Sequence, residues 1–181
     1  MRLRMGLPAA VLALSATGLH SGTTAPAATQ CRAGEAVIYS CSFGRSVGSV
    51  CGSAGAVHYR YGPAGTPSLD LVSAADWSNV HLGSVHGQGA GGYQEHVRFS
   101  NNATHYVVFS GADGELADHP GRTYSGIAVL QGAKGEKTLA TLSCTGPARM
   151  PEGLTDAVRA RGTDAAGPAD EETDGPFDAW F

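Results

Sequence analysis

The chain is 181 residues long, 42% hydrophobic and 15% charged, with a formal net charge of −4 at pH 7. Between residues 28 and 151, eight acids balance eight lysines and arginines, so this stretch is formally neutral. It therefore has no electrostatic footprint for a phosphate backbone, which argues against nucleic-acid binding, and its length suits one domain with one core.

Residues 1–27 have the layout of a secretory signal. Arg2 and Arg4 precede an apolar run from Leu7 to Leu19, and small residues around Ala25-Pro26-Ala27 follow. The apolar centre is about 13 residues long, short of the roughly 20 that a membrane-spanning helix needs. The expectation is an exported protein, periplasmic or extracellular, with no integral membrane span.

Residues 28–151 read as a single all-β domain. Val, Tyr, Phe, Ile and Leu recur in short runs separated by Gly, Pro, Ser and Asn. The expected strands cover 35–42, 46–52, 56–61, 68–73, 93–100, 103–110, 123–131 and 137–144. Alternation is clearest where Tyr93, Glu95, Val97 and Phe99 share one face and Gln94, His96, Arg98 and Ser100 the other. Val57, Tyr59 and Tyr61 likewise oppose His58 and Arg60, and Val37, Tyr39, Cys41 and Phe43 fall on one side. One buried and one wet face are expected of antiparallel sheet. Short connections such as Asn101-Asn102 and 132–136 imply a meander of about eight strands, closed as a small antiparallel barrel or packed as a sandwich.

Two longer connections, 74–92 and 111–122, are the expected binding loops, since loops on a rigid scaffold usually carry function. The candidate binding residues are Trp77, His81 and His86 in the first, Asp113, Asp118 and His119 in the second, and Lys134 in the last hairpin.

Four cysteines lie beyond the signal, and an exported chain is expected to pair them. If the first and last strands are neighbours, Cys41 pairs with Cys144 and Cys31 with Cys51. No C-x-x-C spacing points to zinc, and the histidine spacings match no metal pattern. Gly87-Gln88-Gly89-Ala90-Gly91-Gly92 matches the dinucleotide fingerprint by letter, but a strand rather than a helix follows it, so no cofactor is expected. No G-x-S-x-G elbow is present, and no catalytic residue is assigned.

Residues 152–181 carry eight acids against two arginines. They are expected to form a disordered acidic tail, with 154–159 as a short helix at most. Phe177, Trp180 and Phe181 then read as stray aromatics on a solvated tail, or alternatively as a small docking motif.

Cys41-Ser42-Phe43-Gly44, Ser49-Val50-Cys51, His58-Tyr59-Arg60-Tyr61-Gly62 and Leu69 resemble a block found in small exported bacterial proteins of uncharacterised function. That resemblance implies export and fold rather than activity. The layout of signal, Tyr39-Ser40-Cys41, strand meander and Cys144 in the last strand is similar to the periplasmic or membrane-bound inhibitors of C-type lysozyme. It implies the fold and a role against a hydrolase. The family's S-G-x-x-Y loop is not matched, because Ser110-Gly111 and Ser125-Gly126 lack the tyrosine, whereas Lys134 lies where the family's lysine segment would fall.

These observations lead to a non-enzymatic binding protein with a protein partner, an inhibitor of a hydrolase such as lysozyme being the specific form. The alternatives are a small hydrolase using His81, His86 or His119 with Asp76 or Asp118, and a structural envelope or matrix protein.

Overall fold

The computed structural model describes residues 28–163, 165–172, 175–177 and 180–181; the expected signal, 1–27, lies outside them. Among the described residues there are ten strands and one short helix. The strands are β1 Ala36–Phe43, β2 Ser46–Ser53, β3 Ala56–Pro63, β4 Leu69–Val72, β5 Val80–Gln88, β6 Gly92–Asn101, β7 Thr104–Ala112, β8 Thr123–Gln131, β9 Lys137–Ser143 and β10 Ala169–Asp170. Helix α1, Leu154–Arg159, lies between β9 and β10.

The strands form two sheets rather than a closed barrel, in the orders β1-β2-β3-β4 and β10-β5-β6-β7-β8-β9. All pairings are antiparallel except the short parallel one between β10 and β5. The fold is a β-sandwich. Its core joins Tyr39, Val50, Val57 and Tyr59 of the small sheet to Leu82, Val97, Phe99, Val108 and Ile127 of the large one. Tyr59 meets Phe99 at 5.7 Å and Tyr106 at 5.5 Å between ring centres, so aromatic contacts tie the two sheets together.

The alternation expected of β3 and β6 matches the inward faces of those strands. In β1 a bulge between Val37 and Tyr39 breaks the register, and Ile38 enters the core in addition to Tyr39 and Cys41. The connection expected over 74–92 contains the nine-residue strand β5. Trp77, expected to be a binding-loop residue, is 2% exposed within the core. Its amide bonds to the Ala74 carbonyl and its own carbonyl accepts from Val80, so the chain folds tightly around the indole. A positive φ of 59° at this residue is held in place by that packing.

The structure also corrects the expectation of wet outer faces. Outside the small sheet, residues 28–35 cross β1–β3. There Gln30 donates to the carbonyls of Gly62 and Pro63 and accepts from the Gly65 amide, while Ser40 and Ser49 hydrogen-bond at 2.7 Å. Cys31–Cys51 pins this segment down, and Cys41–Cys144 joins β1 to the residue after β9. The expected pairing of the cysteines is the one present.

Outside the large sheet lies the segment expected to be a disordered tail. Its described residues dock instead: β10 extends the sheet beside β5, Glu171 pairs with Arg98, and Phe177 is 6% exposed. The acidic residues that suggested solvation include the one that finds this buried guanidinium, and the aromatic residues fill recesses in the sheet face. The globular unit therefore does not end at residue 151.

Helix α1 adds Leu154, Ala157 and Val158 to the core. Its first turn has no side-chain cap of its own. Glu95, the acid on the inward face of β6, supplies one: its carboxylate accepts from the amides of Leu154 at 2.8 Å and Thr155 at 3.1 Å and from the Thr155 hydroxyl at 2.8 Å. Glu95→Ala is expected to cost about 1–3 kcal/mol, because it strands these donors. Hydrogen exchange at Leu154 and Thr155 should then accelerate more than at β6–β8. Equal protection in the variant would mean that packing alone holds the helix.

Each sheet edge is managed. Residues 145–149 bond along β1 through Ser42 and Ser40, β10 covers β5, β4 has four residues, and β9 carries a bulge.

Candidate binding cleft

The large sheet has two ends, and the sequence-predicted residues divide between them. Trp77 and Lys134 lie at the end where β5 and β9 begin, with Lys134 exposed in the β8–β9 hairpin. His86, Asp113, Asp118 and His119 lie towards the other end, where β6 and β8 begin. His81 is on the outer face of β5, beneath the docked segment. Burial and the nearby Arg98 charge lower the pKa of its imidazole.

His81 and His86 stand five positions apart on one strand. Their side chains face opposite sides of the sheet, roughly 16 Å apart along it, so the two do not converge. Asp76 is engaged with the amide and hydroxyl of Ser78, while Asp118 and His119 are exposed. Among the described residues, the one His–carboxylate pair within 4.0 Å is His58 with Asp70, on the small sheet. The one set of three metal-ligand side chains is Cys31, Glu35 and Cys51, whose sulfurs are bonded to each other.

The two expected binding regions do meet at the second end. The amides of Glu115 and Leu116 donate to the carbonyls of Ala90 and Gly89, which docks the 113–122 loop on the β5–β6 turn. The base of the loop is closed twice. Asp113 and Arg122 exchange a backbone bond of 2.9 Å and an ion pair of 2.9 Å.

Beside this closure is a cleft of about 680 Å³, lined by Tyr93, Ser110, Arg122, Tyr124, Ser125, Thr145 and Met150 among others. A second recess of about 420 Å³ shares Arg122 and Tyr124 with it and adds Asp113, Trp180 and Phe181. The sheet's pleat sets the walls. Tyr93, Ser110 and Ser125 project towards the small sheet, and Tyr124 projects outward. Tyr124 fits because Gly111 opposite has no side chain: a β-carbon there would come within 2.6 Å of the phenol oxygen. Residues 145–149, running back to β1, form the far wall.

No family model, curated protein or solved structure matches the chain. Function has to be argued from the cleft itself. Hydroxyls and aromatic rings dominate its lining, Arg122 is its cation, and no carboxylate, histidine or lysine is among the described residues that line the larger cleft. Burial, followed by the Asp113 charge, raises the Tyr124 phenol to about 12. Tyr39, below the cleft and bonded to Ser125, is likewise raised to about 12 by burial. Both phenols are protonated at neutral pH, so they donate and accept hydrogen bonds but offer no base. The lining offers aromatic faces, hydrogen-bonding groups and one guanidinium.

Sequence reading located the 111–122 loop and Asp113 but did not single out Arg122 at the end of that loop, or Tyr93, Tyr124 and Ser125 near strand starts. The available signal was the cross-strand alignment of the two Ser-Gly pairs, Ser110-Gly111 and Ser125-Gly126, beside Tyr124.

Proposed function

We propose that the protein is an exported, non-enzymatic binding protein that recognises a protein target at this cleft, in the manner of an inhibitor of an envelope hydrolase. The observation that carries the reading is the grouping of Tyr93, Arg122, Tyr124 and Trp180 around two adjoining recesses that share Arg122 and Tyr124, without an acid–base pair among the described residues that line the larger one. Tyrosine, tryptophan and arginine are the residue types that dominate binding energy at protein interfaces. Tyr93 is 44% exposed and the Arg122 side chain 59% exposed, so both are reachable by a partner. Two disulfides support an oxidising compartment, and no helix among the described residues is long and apolar enough to cross a membrane.

C-type lysozyme is the first target to test. Inhibition of lysozyme by the full chain, measured as cell-wall clearance, is expected to saturate. Tyr93→Ala and Arg122→Ala should each weaken it about tenfold or more, the range of an interface hot spot, while Lys134→Ala should leave it unchanged. Loss of inhibition in Lys134→Ala, with Tyr93→Ala active, would move the site to the opposite end. Cleavage of a substrate by the chain alone would overturn the non-enzymatic reading.

A further inference from the structure

The described residues of 169–181 lie across the outer face of the large sheet as a strap, and the face beneath them is shaped to receive it. Gly83 of β5 has no side chain where one is needed least. A β-carbon there would come within 2.4 Å of the His96 ring and 3.1 Å of Glu171 Cγ. Gly135, in the β8–β9 hairpin, does the same for the strap's aromatic ring: a β-carbon would approach Phe177 to 2.7 Å.

Four anchors follow in order along the strap. Ala169 and Asp170 pair with His81 and Leu82, and the Glu171 amide donates to the Leu82 carbonyl. The Glu171 carboxylate accepts two bonds from the Arg98 guanidinium, at 2.5 and 3.0 Å, and both side chains are nearly buried. Phe177 then lies with its ring centre 4.0 Å from the Arg98 guanidinium carbon and 4.7 Å from the His105 ring. Phe181 packs against His96 and Phe109, and its amide donates to Gln94.

Every one of these anchors joins the strap to the sheet. Within the described part of the strap, the single internal backbone bond is from Gly175 to Glu172. The strap is thus held as a bound peptide is held: by strand addition, one bidentate charge pair and two aromatic plugs. The connection from α1, residues 160–168, contains two glycines and a proline and makes a Thr163–Ala166 turn before β10 begins.

We infer that the outer face of the large sheet is a receptor for an acidic, aromatic-bearing extended segment, filled within one chain by its own strap and open to exchange with the strap of a second copy. Exchange of an identical element preserves every anchor, since none depends on which copy supplies the peptide. The strap's Trp180 and Phe181 line the second recess, but the anchors at Arg98 involve neither Tyr93 nor Arg122, so the two readings can fail separately.

The test uses the full chain and a fluorescent peptide with the sequence of residues 165–181. The chain's own strap competes at an effective concentration in the millimolar range. Weakening it with Glu171→Gln and Phe177→Ala is therefore expected to tighten peptide binding by more than about tenfold. Adding Arg98→Met to that chain should abolish the binding while the disulfides and the thermal unfolding transition persist. Equal binding to both chains, or binding indifferent to Arg98→Met, would overturn the inference. A second measurement avoids variants: excess unlabelled peptide added to isotope-labelled wild-type chain should shift the amide signals of Glu171 and Phe181 but leave those of β1–β3 in place. Unmoved strap signals at saturating peptide would also overturn it.

Discussion

Replacing Arg60 by alanine is expected to cost about 3–5 kcal/mol, the range for removing one partner from a buried charge pair. Its side chain is fully buried on the outer face of the small sheet. The guanidinium donates to both Glu35 oxygens at 2.5 and 2.9 Å, to Asp70 at 2.9 Å and to the Gln30 carbonyl at 3.3 Å. Without it, Glu35 loses its counter-charge and residues 28–35 lose their central anchor. Arg32 also pairs with Asp70 but is 66% exposed, so Arg32→Ala should change stability by less than about 1 kcal/mol. Urea unfolding of the two variants checks the contrast; similar midpoints would contradict it.

The same pair sets an acid limit. The Arg60 hydrogen bonds hold Glu35 at about 2, against burial, which pushes the other way; its ordinary value is 4.5. A carboxylate depressed in the folded state contributes stability above its unfolded pKa, and that stability is lost as pH falls through the folded one. Wild-type stability should therefore decline between about pH 4.5 and 2, and the decline should be shallower in Arg60→Ala.

Removing the Cys41–Cys144 bridge by a Cys41→Ala, Cys144→Ala double substitution is expected to cost about 4–5 kcal/mol by loop-closure entropy. The bridge spans 103 positions, whereas Cys31–Cys51 spans 20, and the shorter loop should contribute roughly 1.5 kcal/mol less. The two losses should also differ in kind. Cys144 lines the cleft, and Tyr39 contacts its sulfur at 3.3 Å, so breaking the long bridge loosens the cleft wall. Breaking Cys31–Cys51 releases residues 28–35 on the opposite side of the small sheet. Thermal unfolding of the two double variants, with target binding measured alongside, separates these effects. Equal losses of binding would contradict this division.

Much of the sandwich was legible because eight strands carry a period-2 pattern or a turn signal at their ends. β5 was not. Its outward positions include Gly83, needed small for His96 and Glu171, and its last inward position is His86 at the open end. Neither face of β5 therefore alternates by polarity. The cysteine pairing was read from strand adjacency, although the first and last strands of the body belong to different sheets: β1 and the residue after β9 meet across the sandwich.

The polarity of Gln94, His96 and Arg98 was legible, but their burial was not. It depends on Glu171, Phe177 and Phe181, more than 70 positions away and spaced like neither helix nor strand. Excess acid in that segment masked Glu171, the carboxylate that pairs with the nearly buried Arg98. Trp77 misled because tryptophan in a Gly- and Ser-rich connection looks like a contact residue, whereas two tight turns place it in the core. The cleft itself was only half visible, since its key side chains belong to strand ends that converge only after the sheet is built.

Amide-shift mapping of the isotope-labelled full chain, titrated with purified C-type lysozyme, tests the central claim most directly. Saturable shifts are expected, centred on Tyr93, Ser110, residues 122–125 and Thr145, with Asn101, Asn102 and Lys134 silent. Shifts centred on the Asn101–Lys134 end, or no saturable shifts, would contradict it.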